Sequence, residues 1–264
     1  MDKDTAGTDI TKARSVLRLI KVPDLFSMLN AVLGFGAILL VLDGIEVTGT
    51  RLTTALVVIL LAAVIDGLDG ILARAVESSP LGAFLDSLAD MVSFGIAPAI
   101  LAYVYITGYC GLAAPYRALA LALGGAYSIC GMLRLARFNA NLHVARASEQ
   151  RERSGEFLGF PITGSATFLA SFLLLMTELS ISSATSATLL LGVMALFCYL
   201  MTSRIRYQKL RDWRITIPVG LFFLALFLSY LLSFGFIYLA FVAVALAAFY
   251  MCSPFLYTGQ EKVI

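Results

Sequence analysis

The stretch from Asp66 to Asp90, DGLDGILARAVESSPLGAFLDSLAD, sets four aspartates at fixed spacing inside otherwise apolar sequence. At about 100° per residue, Asp66 and Asp69 fall on one face of a helix, and Asp86 and Asp90 on one face of the next. Four carboxylates can therefore converge. A centrally placed aspartate disfavours membrane insertion by roughly 2.5–3.5 kcal/mol, so four together cost on the order of 10 kcal/mol unless cations or water neutralise them. A cost of that size points to function rather than packing.

Composition supplies the membrane. Of 264 residues, 60% are hydrophobic and only 14% charged, against about 25% charged in an ordinary globular domain. Cys110, Cys130, Cys198 and Cys252 stand singly in apolar segments, with no CxxC pair, and read as packing residues. The first dozen residues are polar and the first apolar run is long enough to remain as a span, so no cleavable signal peptide is expected. The expected surroundings are the lipid bilayer, and no nucleic-acid partner is expected.

A hydrocarbon core about 30 Å thick needs about 20 helical residues. That length fits eight times along the chain: 25–42, 53–75, 82–106, 116–142, 160–178, 184–203, 214–231 and 234–252. The expected fold is therefore all-α, a polytopic membrane bundle of about eight transmembrane helices. Residues 9–22, DITKARSVLRLIKV, put Ile10, Val16, Leu17 and Ile20 on one side and Lys12, Arg14, Arg18 and Lys21 elsewhere, which predicts an interfacial amphipathic helix. Pro23 separates it from the first span. Of the 19 basic residues, all but Arg51 and Arg117 lie before span one or in connectors on the same side as the termini. By the positive-inside rule both termini and the aspartate stretch then face the cytoplasm, in the cell membrane.

Oxygen ligands in number, without a cysteine cluster and with His143 as the one histidine, disfavour a zinc site and favour Mg²⁺, Mn²⁺ or Ca²⁺, one or two ions. Gly67 and Gly70 remove side chains where a bulky ligand can approach the backbone, Ala73 continues the small surface, and Arg74 follows. An arginine beside metal-bound carboxylates suits a phosphate, which it grips with two parallel hydrogen bonds. Ser79 and Pro80 fit a helix start, with Ser79 as N-cap and Pro80 at the first helical position.

The ordered string D-x-x-D-G-x-x-A-R followed by G-x-x-x-D-x-x-x-D resembles the CDP-alcohol phosphotransferase family, with Asp66, Asp69, Gly70, Ala73, Arg74, Gly82, Asp86 and Asp90 on its motif positions. Seven residues separate Arg74 from Gly82 where the commonest form has eight, so either Ser78 or Ser79 takes the hydroxyl position that contacts the nucleotide. Upstream, PDLFSMLN at 23–30 is similar to the family's opening segment, with Asp24 and Ser27 where Asn and Thr are usual. LDSLADMVSFGIAPA at 85–99, GMLRLARFN at 131–139 and FLGFPI at 157–162 are similar to the phosphatidylserine synthase branch.

The resemblance implies an N-terminal tail and interfacial helix over 1–22, a six-helix core over 23–205, and two additional helices with a tail over 206–264. It implies two metal ions, Mg²⁺ or Mn²⁺, on Asp66, Asp69, Asp86 and Asp90, with Asp90 also the general base. Gly70, Ala73, Arg74, Ser78 or Ser79, and Asn30 are implied at the CDP-lipid. The implied reaction is attack of an alcohol on the lipid-linked phosphate of a CDP-lipid, releasing CMP, with L-serine as the alcohol and a homodimer as the assembly. Serine carries a carboxylate and an ammonium, and Arg134, Arg137 and Asn139, on the same membrane side, are the candidates to bind it. The alternatives are another acceptor, glycerol phosphate or inositol phosphate, and an ion-coupled transporter, since carboxylates in a membrane also mark ion pathways. Crowding of the acids at one membrane edge speaks against transport. Diacylglycerol and archaeol anchors remain equally open, because apolar helix faces serve either.

Overall fold

The computed structural model describes residues 19–43, 49–75, 79, 81–147, 156–181, 183–208, 213–232 and 236–257; for 69–75, 142–147, 156–158, 206, 208, 213–217, 236–237 and 252–257 it describes the backbone. The expected amphipathic helix at 9–22 lies almost wholly outside these residues. Eight long helices appear among them: α1 (Val22–Leu42), α2 (Gly49–Ala75), α3 (Gly82–Tyr109), α4 (Ala114–Ala147), α5 (Ile162–Glu178), α6 (Ala184–Thr202), α7 (Trp213–Leu231) and α8 (Phe236–Tyr257). They coincide with the eight expected segments to within a few residues. Five of them, α1, α2, α3, α4 and α6, are long and apolar enough to cross a membrane, and the apolar stretches of α5, α7 and α8 are shorter.

Helix α1 shows how the bundle is built. Its buried positions, Asp24, Ser27, Asn30, Gly34, Ala37 and Val41, recur every three or four residues. The outward positions are Leu25, Leu29, Val32, Phe35, Leu39 and Leu42, all exposed. A soluble helix would reverse this arrangement. Apolar side chains outside and small or polar ones inside suit a surround of lipid, where close approach of small residues drives helix association. At Gly34 a Cβ would fall 2.5 Å from the Cα of Ser93, so only glycine lets α1 and α3 meet there.

Helix α3 is continuous but contains two π-helical turns, Met91–Ile96 and Tyr105–Tyr109. The first has a visible cause. Pro98 has no N–H to give the carbonyl four residues back, that of Phe94. The Tyr127 hydroxyl donates to it instead, at 3.1 Å, and the Ser128 hydroxyl donates to the next carbonyl, Gly95, at 3.1 Å. Wide turns of this kind recur at functional sites, and this one begins one residue after Asp90.

The fold is all-α as expected, with one small non-helical feature among the described residues. Glu156–Leu158 (β1) and Arg206–Gln208 (β2) form a short antiparallel ladder, Phe157 opposite Tyr207. It joins the α4–α5 and α6–α7 connectors. Gly159, at φ +81°, turns the chain out of the ladder, and its N–H and that of Phe160 donate to the carbonyls of Ile205 and Leu200. Backbone groups at the end of a bundle need partners, and two neighbouring loops supply them to each other.

The proposed cap at Ser79 is corrected. Helix α3 begins at Gly82 with Leu81 as its N-cap and no side-chain cap. The Ser79 hydroxyl instead donates to Asp24 Oδ1 at 3.0 Å, while Asp24 Oδ2 accepts from the Lys21 N–H at the start of α1. The carboxylate orients the Ser79 side chain toward α1, and it is the Ser79 backbone carbonyl that accepts from the Gly82 N–H, at 3.2 Å. Pro23, rather than preceding the helix, occupies its first turn, where a missing N–H costs nothing.

Replacing Gly34 with valine should force α1 from α3 and lower the detergent-solubilised protein's thermal midpoint by several degrees, the effect of roughly 1–3 kcal/mol of overpacking. The same substitution at Gly36, where a Cβ meets nothing within 4 Å, should leave the midpoint nearly unchanged.

Candidate active site

Helix lengths bring the chemistry to one level. Asp66 lies about 25 Å along α2 and Arg134 about 30 Å along α4, at 1.5 Å per residue from each helix start. Both therefore sit near the same end of a 30 Å apolar slab. At that end one carboxylate oxygen from each of Asp66, Asp86 and Asp90 lies within 4.8 Å of the other two. Three of the four aspartates singled out in the sequence thus converge. The side chains of Asp69, Gly70, Ala73 and Arg74, on the last turns of α2, and all of Ser78 lie outside the described residues.

Neighbours fix the orientation of these carboxylates. Thr163 Oγ1, at the start of α5, donates to Asp66 Oδ2 at 3.3 Å. Asn30 Nδ2 donates to Asp90 Oδ1 at 3.3 Å, and the Asn30 carbonyl accepts from Ser93 Oγ at 2.7 Å. Asn30 is fully buried, and its Oδ1 has no hydrogen-bond partner among the described residues. An oxygen left in that state costs about 1–3 kcal/mol. A cation or a substrate hydrogen beside Asp90 would satisfy it.

Like charges at this separation repel by on the order of 3 kcal/mol per pair at an effective dielectric near 20. The donor set is therefore suited to a divalent ion: several hard oxygens, a buried orphan oxygen next to them, and no cysteine or histidine in the cluster among the described residues. At Gly67, one residue from Asp66, a Cβ would meet nothing within 4 Å. Protein packing does not require glycine there, whereas a bulky ligand against the α2 backbone would. At Gly82 a Cβ would lie 3.1 Å from Asp24 Oδ1 and 3.4 Å from Ser79 Oγ, so that motif glycine makes room for a protein contact.

The three candidates on α4 separate. Arg134 is buried, with its guanidinium carbon 5.9 Å from the centre of the Phe138 ring, and it lies within electrostatic range of Asp90 and Asp66. Arg137 turns elsewhere: its guanidinium donates to the carbonyls of Met201 at 3.1 Å and Ser203 at 3.3 Å, at the end of α6. Asn139 Nδ2 donates to Ser87 Oγ at 2.9 Å and ties α4 to α3. Thr163 was not singled out in the sequence. It follows the FLGFPI motif by one residue and could have been read from it. A cavity of about 310 Å³ lined by Thr50, Thr53, Glu178 and Tyr230 among others belongs to the opposite end of the bundle and is separate from the acids.

Lipid-facing apolar surfaces around a carboxylate cluster at one end define a multi-pass membrane protein with a polar reaction or binding site at the bilayer edge. The family model described as CDP-alcohol phosphatidyltransferase matches residues 20–203, and the chain belongs to that family. It is 34% identical over 199 residues to an archaetidylserine synthase of Methanothermobacter thermautotrophicus, covering 74% of this chain and 73% of that one. It is 34% identical over 196 residues to a CDP-diacylglycerol–serine O-phosphatidyltransferase of Methanocaldococcus jannaschii, covering 74% and 77%. To the enzyme of the same name from Helicobacter pylori strain J99 it is 33% identical over 149 residues, covering 56% and 57%.

The contacts of Arg137 predict that Arg137→Ala lowers the thermal midpoint by several degrees, because it removes charged hydrogen bonds from the last carbonyls of α6, each worth about 1.5–3 kcal/mol. The KM for the acceptor should stay within about twofold of the parent in steady-state kinetics, since the guanidinium is engaged with the end of α6.

Proposed function

We propose that this protein transfers the phosphatidyl or archaetidyl group of a CDP-lipid to the hydroxyl of L-serine, releasing CMP. The observation that carries the reading is the convergence of Asp66, Asp86 and Asp90 beside a buried arginine, within a chain similar to serine-using enzymes over most of its length. Eight membrane spans are inferred, the five long helices plus α5, α7 and α8. The catalytic core is assigned to residues 23–205, after a tail at 1–22 and before two added helices at 206–264. Both termini and the site are assigned to the cytoplasmic face, a reading that the distribution of Lys and Arg supports. A homodimer is the proposed assembly.

Asp66, Asp86 and Asp90, with Asp69, would hold Mg²⁺ or Mn²⁺, in a pair of ions. When bound, the metal supplies charge neutralisation for the pyrophosphate and for the departing CMP. The rest falls to the chain. Gly70 and Ala73 leave the α2 backbone open to the nucleotide, Arg74 takes a phosphate, and Ser78 or Ser79 supplies a hydroxyl. Of the two serines, Ser79 is engaged with Asp24, which favours Ser78 for the nucleotide. Arg134 pairs with the serine carboxylate. The serine hydroxyl oxygen forms a bond to the lipid-linked phosphorus as the bond from that phosphorus to the CMP oxygen breaks, and Asp90 takes the hydroxyl proton. Asn30, donating to one oxygen of Asp90, leaves the other to accept it.

Purified protein given a CDP-lipid should release CMP with serine and not with glycerol phosphate or inositol phosphate. Release only with one of the latter would replace the acceptor. Asp90→Asn should lower kcat by about a hundred- to ten-thousandfold, the usual contribution of a general base, while CDP-lipid binding stays near normal. Return of near-parental kcat at high Mg²⁺ or Mn²⁺ would leave Asp90 as a ligand only, because mass action refills a weakened site but supplies no base.

A further inference from the structure

We infer that the cavity at the end of the bundle opposite the acids binds the ammonium headgroup of an amine-bearing phospholipid, on Glu178 and the hydroxyl oxygens around it.

The cavity measures about 310 Å³, and its wall includes Thr53 of α2, Tyr109 at the end of α3, Glu178 at the end of α5, Ser180 just beyond it and Tyr230 of α7. Thr53 precedes Asp66 by 13 residues of the same helix, about 20 Å of rise. The cavity is therefore a second site and not an extension of the first.

The hydroxyl protons decide what can bind. Thr53 Oγ1 donates to Glu178 Oε1 at 3.1 Å, and the Tyr109 hydroxyl donates to the Thr177 carbonyl at 3.4 Å. Thr54 Oγ1 donates to the Thr50 carbonyl at 2.8 Å, so in its 2.6 Å contact with the Tyr230 hydroxyl the tyrosine is the donor. Three lining hydroxyls have thus given their protons to the protein and keep only lone pairs for a guest. Glu178 adds an acceptor with charge, and no lysine or arginine lines the cavity among the described residues. The guest must bring the donors and the positive charge.

Two features of the α5 terminus reinforce this. Glu178 is the last residue of α5, where a helix end carries about half a negative elementary charge, so a cation there relieves repulsion between the carboxylate and its own helix. A lone carboxylate among neutral oxygens suits an ammonium, with three N–H donors, rather than a divalent ion, which gathers several carboxylates. Ser180 is the one non-glycine residue in the left-handed region among the described residues, at φ +54°. Its N–H closes α5 on the Thr177 carbonyl at 3.0 Å, a turn that glycine makes without strain. Serine keeps a hydroxyl on the cavity wall at the expense of backbone strain, and strain of this kind gathers at ligand sites.

The surroundings point to a lipid as the source of the ammonium. Leu179, Leu231 and Leu232, next in sequence to Glu178 and Tyr230, are exposed apolar side chains at the same end of the bundle. An amphiphile seated there would tie α7, beyond the residues matched by the family model, to α2 and α5.

The test titrates the full chain in detergent with phosphatidylethanolamine, phosphatidylcholine and free ethanolamine, with saturating CDP-lipid present to occupy the substrate site, and reads bound lipid and thermal midpoint. Phosphatidylethanolamine should bind one per chain and raise the midpoint. Phosphatidylcholine, whose quaternary ammonium has no N–H, should bind about tenfold more weakly. Glu178→Gln keeps an oxygen for Thr53 and should weaken phosphatidylethanolamine binding about ten- to a hundredfold, the loss of a charged hydrogen bond. Ser180→Gly should weaken it about fivefold while the midpoint of the lipid-free protein holds or rises. CMP release should stay parental in both variants, so the outcome does not depend on the acceptor reading above. Equal binding of the two phospholipids, or undiminished phosphatidylethanolamine binding by Glu178→Gln, overturns the inference; if that variant does not fold, undiminished binding by Ser180→Gly does so. Free ethanolamine binding as tightly as the lipid overturns the lipid assignment.

Discussion

Mutual repulsion of three carboxylates, held within 4.8 Å of one another near the edge of an apolar bundle, is the constraint to which the surrounding structure answers. Left alone, the acids would spread apart or take up protons. Four helices together prevent the spreading. Helix α2 carries Asp66, whose carboxylate is held by Thr163 of α5. Helix α3 carries Asp86 and Asp90, and the latter is held by Asn30 of α1. Asn30 is in turn held by Ser93, inside the π-turn that Pro98 and Tyr127 make possible. The small residues of α1 and α3 exist to let these helices come this close, as the contact between Gly34 and Ser93 shows.

The other wall is assembled from connectors. The β1–β2 ladder, the turn at Gly159 and the guanidinium of Arg137 on the carbonyls of Met201 and Ser203 lock the ends of α4, α5 and α6 together. At Gly159 a Cβ would fall 2.5 Å from both Arg137 Nη2 and the Met201 carbonyl oxygen, so the lock closes only over glycine. The FLGFPI segment is therefore structural in its first half and leads directly to Thr163 in its second. It sets the level at which α5 enters the bundle, and hence where Asp66 finds its partner.

Much of this was legible in the sequence because helix periodicity and the 20-residue span are strong signals. The spacing of Asp66, Asp86 and Asp90 announced their convergence, and the eight apolar segments announced eight helices. Residues whose roles depend on tertiary packing were not legible. Ser79 before Pro80 reads as a cap, yet a carboxylate 55 residues away in sequence takes its hydroxyl. Arg134 and Arg137 look equivalent at three residues apart, but Arg137 reaches the end of α6 while Arg134 stays with the acids. A three-residue ladder is too short to leave a periodicity. Tyr250 sits in a helix that reads as uniformly apolar, and only the fold brings its ring against Phe160 and Tyr207.

The central claim is that the aspartates converge to hold divalent ions, and equilibrium binding of Mn²⁺ to the purified protein tests it directly. Loss of the free-ion paramagnetic signal on titration should report saturable binding by the parent protein, and Asp66→Asn combined with Asp86→Asn should abolish it while the thermal midpoint of the metal-free protein holds or rises, since two repelling charges are gone. Undiminished Mn²⁺ binding by that double variant would contradict the account.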